Sequence, residues 1–364
     1  MPLIQNLSSN TISNATIEIT SIYYLDVIKS LQTTSGTFGS LQVNTMFHGG
    51  SGTNSSPFEI SCARHLNNIR YAPSSTYKIL EYSYIFVDKW TPIPYFTGVL
   101  DGNGNDVTLY TIENLAAVNI GFVAVNNGYI KNLSVVIAEF TIIDKENIPN
   151  EIHNIGCIAG TNNKEISNCT AGWYSDYIKI NISTFWETNL GGLCGLNTEN
   201  GNIYDGNVYY ATLSVATGSV GGIAGKNEGR ISRCNVRYSR VICYQNFNNQ
   251  NYNSFYKSGH YGYAGGITGW NTYTISSCNV LESVEVWCGA FNYTGKDYSF
   301  APEMGVFCGR STSNPSNCSM FSNVEVYGQY LHTETWTTGA LWWKENHSHD
   351  QAQYVGKRAV GHFV

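Results

Sequence analysis

This 364-residue chain is short of charge, and shortest of positive charge: charged residues make up 13%, and Lys plus Arg number 20 with no basic cluster among them. A surface able to neutralise nucleic-acid phosphates is therefore not expected. No stretch approaches the roughly 18 apolar residues of a membrane-spanning helix, so no transmembrane segment is expected. Residues 1–20 lack the basic start and apolar centre of a secretion signal. The ten cysteines include no CxxC pair, which removes the usual zinc-ribbon and thioredoxin-type signatures. A sustained 3.6-residue apolar period is missing too, and with it any expectation of long helices.

What remains is suited to strands. Apolar residues at 42% are ample for a core, and 36 glycines with 26 tyrosines favour tight turns and aromatic strand surfaces. Six lines of internal similarity begin at Asn119, Asn154, Asn189, Ser219, Tyr263 and Glu303. Most follow one form: apolar, Gly, apolar, small, Gly, polar turn, Ile, two polar residues, Cys. The closing glycine falls at Gly160, Gly195, Gly225, Gly269 and Gly309, with Val125 in its place in the first line. Intervals of 35, 30, 44 and 40 residues between those glycines indicate a stacked array. Each repeat is too small to bury its own inner face, so neighbouring coils must stack in register at about 4.8 Å to form a core. The expected fold is all-β, a parallel β-solenoid.

The same alignment stacks side chains. One column holds Leu133, Cys169, Gly206, Cys234, Cys278 and Cys318; another holds Ala124, Ala159, Cys194, Ala224, Thr268 and Cys308. Both are small or apolar, as inward positions are. Parallel side chains on adjacent coils keep Cβ atoms about 4.8 Å apart, beyond the ~3.8 Å of a disulfide. The cysteines are therefore expected to be buried free thiols that pack rather than react.

A lysine follows glycine in AGKN, as in a phosphate-binding loop, but that loop needs Gly five positions earlier and Ser or Thr after the lysine. Val220 and Asn227 stand there; at the second pair, Gly295-Lys296, Ala290 and Asp297 do. Neither is a phosphate loop.

The segments GGLCG, GGIAG and GGITG, with ISNC, ISRC and ISSC downstream, resemble the GLUG repeat. The stretch from Pro57 to Leu115 is similar to the region that often precedes such repeats, and the resemblance covers about Pro57 to Val326. It implies a right-handed β-helix of large bacterial surface or secreted proteins, among them adhesins and some surface peptidases. Those peptidases carry HExxH in a separate domain; this chain has no HExxH, so that activity does not carry over. Departures from the pattern are the first line's missing glycine, Gly206 at a Cys position, and Pro315 at an Ile position, which puts the last coil's pairing in doubt.

Candidate chemistry is sparse. DGNGND, Asp101 to Asp106, has calcium-type ligands but Asp106 and Ile112 where an EF-hand needs Gly and Glu, so a turn opening the first coil is expected. Glu345, His347 and His349 alternate and would share a strand face, yet no metal or other cofactor is expected. Glu282 and Glu285 have opposite parity and would not share a face, and Asp176 stands alone, so no glycosidase-type carboxylate pair is expected. Aromatics are more suggestive: Trp173, Tyr174, Tyr177, Trp186, Tyr209, Tyr210 and Tyr238 occupy coil-to-coil excursions. The insertion from Tyr244 to Tyr263 adds Tyr244, Phe247, Tyr252, Phe255, Tyr256 and Tyr261 as a candidate partner surface for sugar or protein.

The divisions are a strand-rich N-terminal arm or cap at 1–56, opening coils at 57–118, repeat coils at 119–326 and a C-terminal cap or tail at 327–364 carrying Trp336, Trp342 and Trp343. Open solenoid ends must be capped or paired; the arm either covers its own helix or extends to a neighbour. The expected function is a non-enzymatic structural or adhesive surface protein, self-associating head to tail into a fibre, with a carbohydrate or protein as its surface ligand. A carbohydrate-active β-helix lyase or hydrolase is the alternative. The expected location is extracellular or a cell, spore or virion surface, with the cytoplasm left open.

Overall fold

The computed structural model describes residues 46–81, 84–113, 117–143, 152–172, 177–183, 187–246, 262–291, 303–321, 323–330 and 353–356. They form a parallel β-helix. One coil shows the plan: Gly218–Gly221, Ala224–Asn227, Arg230–Ser232, Asn235–Arg237 and Arg240–Asn246 are its successive strands. Stacked coils place the first strands in sheet 1 (six strands), the second in sheet 2 (seven), the third and fourth side by side in sheet 3 (fourteen), and the fifth in sheet 4 (seven). Among the described strands pairing is parallel, except that Gln353–Gly356 lies antiparallel on Glu325–Tyr330 at the edge of sheet 4.

Register follows the repeat. Ile130, Ile166, Ile203, Ile231 and Ile275 stack as one fully buried column, each contributing about 1.5–3 kcal/mol of transfer free energy. The residue before each cysteine-column position has a left-handed backbone: Asn132, Asn168, Asp205, Arg233, Ser277 and Asn317 all have φ between 47° and 54°. This turn separates the two strands of sheet 3 and aims the following residue inward.

The first repeat line differs from its sequence alignment by one residue. Val123, not Ala124, pairs with Ala159, and Val125 pairs with Thr161, which puts Ala124 in the closing-glycine column. The reason lies one coil back. A Cβ on Gly160 would lie 2.6 Å from the Ile120 nitrogen in the preceding sheet 1 strand. Among the described residues Asn119–Ile120 is itself the first strand of sheet 1, so none of them in that sheet lies behind Ala124. None of the closing glycines has positive φ. They are required by close backbone approach between sheets rather than by a turn.

A buried asparagine spine also holds the stack. Asn126, Asn162, Asn197, Asn227 and Asn271 are fully buried. Each amide donates to the carbonyl of the next at 2.7–2.8 Å, and Asn271 donates to Ser311 Oγ at 3.0 Å. The spare amide hydrogens reach backbone carbonyls of the following turn, as Asn227 does at Gly229 (2.9 Å). Shorter ladders run through Asn119, Asn154 and Asn189, and through Asn207, Asn235 and Asn279.

The opening coils are less regular than expected. They contain a short α-helix, Ala63–Asn68, and a 3-10 turn, Ile69–Tyr71. Leu66 and Ile69 are fully buried there, beside the large side chains Tyr77, Trp90 and Phe96. Trp90 stacks on Phe122 (5.2 Å, 9°) and donates its indole N–H to the Phe122 carbonyl at 2.9 Å. These bulky groups lie at one end of a core that is otherwise mostly Ile, Val, Leu, Ala and Cys. Phe47 is buried with them, 4.3 Å from the Phe58 ring. At the other end Pro315 lacks an N–H, and the strand is reduced to a single bridge between Ser276 and Ser316.

Candidate functional site

The columns that the sequence singled out are structural. Cys169, Cys234 and Cys278 are fully buried, while Cys318, in the last coil, is half-buried. Gly206, the irregular member, leaves room that Leu193 fills: a Cβ there would meet its Cδ1 at 2.6 Å. All ten cysteines are free, and seven are buried: Cys157, Cys169, Cys194, Cys234, Cys243, Cys278 and Cys288. Burial pushes the Cys157 and Cys169 thiols up to about 12; contact with the Cys234 thiol raises Cys278. Titration of the native protein with a thiol reagent at pH 8 should therefore modify at most Cys62, Cys308 and Cys318 rapidly, and denaturation should release all ten. Fast reaction of more than three, or fewer than ten after denaturation without reductant, would contradict this packing.

The proposed chemistry-bearing groups are occupied by structural partners. Asp101 Oδ1 accepts from Asn103 N–H (2.9 Å) and Asn132 Nδ2 (3.0 Å), and its other oxygen lies 3.4 Å from Lys131 Nζ. Burial raises its pKa, but these hydrogen bonds and Lys131 outweigh that and hold it below the usual carboxylate range. The loop is a bulge in the strand Val99–Ile112, with Asn103 and Gly104 at positive φ. Glu282 pairs with Arg237 at 2.9 Å and Glu285 with Arg240 at 2.7 Å, so each carboxylate has an arginine of its own. Among the described residues no three His, Cys, Asp or Glu side chains converge as a metal site. Glu345, His347, His349 and Asp176 lie outside the described residues.

Of the candidate partner surface, Tyr244 is placed by its backbone in Arg240–Asn246, paired with Gly289. Phe247, Tyr252, Phe255, Tyr256 and Tyr261 lie outside the described residues, as do Trp173, Tyr174 and Trp186. Three of the other excursion tyrosines come together. Ile178 pairs with Ala211, and Tyr209 with Arg237, which sets Tyr177, Tyr210 and Tyr238 in one column at the corner between sheets 3 and 4. Tyr177 meets Tyr210 edge-on at 5.6 Å, and Tyr210 stacks on Tyr238 at 5.0 Å and 17°. The 28 residues from Tyr210 to Tyr238 repeat the interval from Gly206 to Cys234, but the 33 from Tyr177 to Tyr210 depart from the 37 between Cys169 and Gly206, so the coil register is needed to reveal the whole column.

A second outward column went unread in the sequence. Lys226, Trp270 and Arg310 are register partners on sheet 2. Lys226 Nζ lies 4.4 Å and the Arg310 guanidinium 5.6 Å from the Trp270 ring centroid. Arg310 also donates to Tyr263 Oη at 2.8 Å, and Lys226 is paired with Glu228 at 2.8 Å. The signal was available as the residue after each closing glycine, in AGKN, TGWN and CGRS. Because cations from the two neighbouring coils pack on the indole, the cluster ties coils together rather than offering a stacking face.

Fold and ladders define a parallel β-helix braced by buried asparagines. The chain matches no known family profile, no curated protein and no solved structure.

Proposed function

We propose that this chain is a non-enzymatic structural and adhesive surface protein, a rigid solenoid scaffold that associates head to tail into a fibre. The observation that carries this reading is the pair of unpaired ends. Among the described residues, Glu303–Gly305, Cys308–Ser311 and Ser319–Met320 have a strand neighbour on one side only. The same holds at the opposite end for Phe58–Ile60, Ile85–Trp90, Ile93–Phe96 and Asn119–Ile120. Parallel edges of opposite ends are complementary to each other, and a contact between them propagates instead of closing. Among the described residues, sheet 4 alone is finished at one end by an antiparallel strand.

The arginine-paired glutamates and the Asn, Gly and Cys columns support a scaffold: the repeat's polar groups are used to hold coils together. The resemblance to GLUG repeats supports a surface location, and no helix among the described residues is long and apolar enough to cross a membrane. Sedimentation of the full chain at rising concentration should show large assemblies. Removing residues 1–44 spares the buried Phe47 and tests the arm as connector; assembly is expected to weaken or vanish. A protein that stays monomeric throughout, or a monomer that releases products from polysaccharides, would overturn the proposal.

A further inference from the structure

We propose that Asn189, Ser219 and Trp270 enclose a binding site for one small neutral molecule, a structural water that stands in for a side-chain amide at a break in an asparagine ladder. The site goes beyond the scaffold reading and stands whether or not the chain self-associates.

On sheet 1 the ladder runs through three coils. Asn154 Nδ2 donates to Asn119 Oδ1 at 3.1 Å, and Asn189 Nδ2 donates to Asn154 Oδ1 at 2.8 Å. The next register partner is Ser219, whose hydroxyl is one bond shorter than an asparagine amide and does not complete the same step. Asn189 Oδ1 and Ser219 Oγ are both buried without a hydrogen-bond partner among the described residues. Their residues are 3% and 0% exposed. Buried polar groups are seldom left in that condition in a folded protein.

A third such atom lies across the corner between sheets 1 and 2. The residue after a closing glycine packs on the sheet 1 residue one coil back: Thr161 Oγ1 donates to Asn119 Oδ1 at 2.7 Å, and Arg310 Nη1 to Tyr263 Oη at 2.8 Å. Gly269 obeys the same geometry, since a Cβ there would lie 2.8 Å from the Ser219 carbonyl carbon. Trp270 therefore stands over Ser219. Lys226 and Arg310, its register partners, cover the indole from the coils before and after. That lays the ring across the stack and turns an edge to sheet 1. Trp270 Nε1 is buried and has no partner among the described residues.

The three atoms select the ligand. Asn189 Oδ1 only accepts, Trp270 Nε1 only donates, and Ser219 Oγ does either. A cation would face the indole N–H with the Lys226 ammonium close by, and an anion would face the Asn189 carbonyl oxygen. A water accepts from Trp270, donates to Asn189 and makes its third bond with Ser219, the usual number for a buried water. It ties together three consecutive coils, those of Asn189, Ser219 and Trp270.

The test is a high-resolution crystal structure of the full chain, joined with oxygen-17 relaxation dispersion to count long-lived internal waters. One water should lie within hydrogen-bond distance, about 2.7–3.2 Å, of all three atoms. Ser219→Asn supplies an amide with the reach that the ladder uses and should expel that water, lowering the count by one while the thermal midpoint stays level or rises. Trp270→Phe keeps an aromatic ring between the two cations and removes the N–H, so the residence time of the water should shorten at least tenfold. The proposal is overturned if the wild-type structure shows Ser219 Oγ and Trp270 Nε1 bonded directly to protein groups, or an ion in place of the water. An unchanged count in Ser219→Asn overturns it as well, and the wild-type structure decides the matter if that variant does not fold.

Discussion

Asn197→Ala should lower the stability of the β-helix by roughly 3–5 kcal/mol, far more than an ordinary polar truncation. Each buried group left without a partner costs about 1–3 kcal/mol, and more than one is stranded. Asn197 Oδ1 accepts from Asn162 Nδ2 at 2.8 Å; its own amide donates to Asn227 Oδ1 at 2.7 Å and to the Gly201 and Arg230 carbonyls at 3.3 Å. Alanine removes all of these in a site with no access to solvent. Asn197→Asp should be worse at neutral pH, since a carboxylate oxygen would then face three acceptors. That environment raises the folded-state pKa of the new carboxyl, so the variant's deficit should shrink as pH falls and grow as pH rises. Chemical denaturation at pH 7 and pH 4 checks both; a loss under 1 kcal/mol for Asn197→Ala would refute the spine's role.

Gly225→Ala should cost at least ~3 kcal/mol, at or above the usual range for overpacking. The added Cβ would lie 2.4 Å from the Leu190 nitrogen and 2.6 Å from the Asn189 carbonyl carbon, both backbone atoms that can retreat only by parting two sheets. Gly104→Asn is the control: Gly104 has φ 76°, a region Asn tolerates, and a Cβ there meets nothing within 4 Å. Thermal denaturation of the two variants should separate them clearly. Equal midpoints would mean that the closing glycines serve only as turns.

The solenoid was legible in the sequence because its determinants recur at fixed offsets: the Ile130-to-Ile275 column, the cysteines and the closing glycines all align without knowledge of the fold. The asparagine spine recurs just as regularly, two residues after each closing glycine but the last, where Ser311 follows Gly309. In the sequence it is indistinguishable from a polar turn, because turn chemistry explains an asparagine equally well and only burial distinguishes a ladder from a loop. The one-residue slip at Ala124 arose because a small residue fits either column, until the absence of a sheet 1 strand behind it is known. Ala63–Asn68 is too short to show a helical period. Tyr210 and Tyr238 each follow their cysteine-column position by four residues, but Tyr177 follows Cys169 by eight, so the full tyrosine column aligns in space and not in the repeat.

Electron microscopy of the intact protein tests the central claim most directly. Coils stacked in register and joined end to end should appear as unbranched filaments one β-helix wide, with an axial repeat of about 4.8 Å. Dispersed single particles at every concentration would contradict the account.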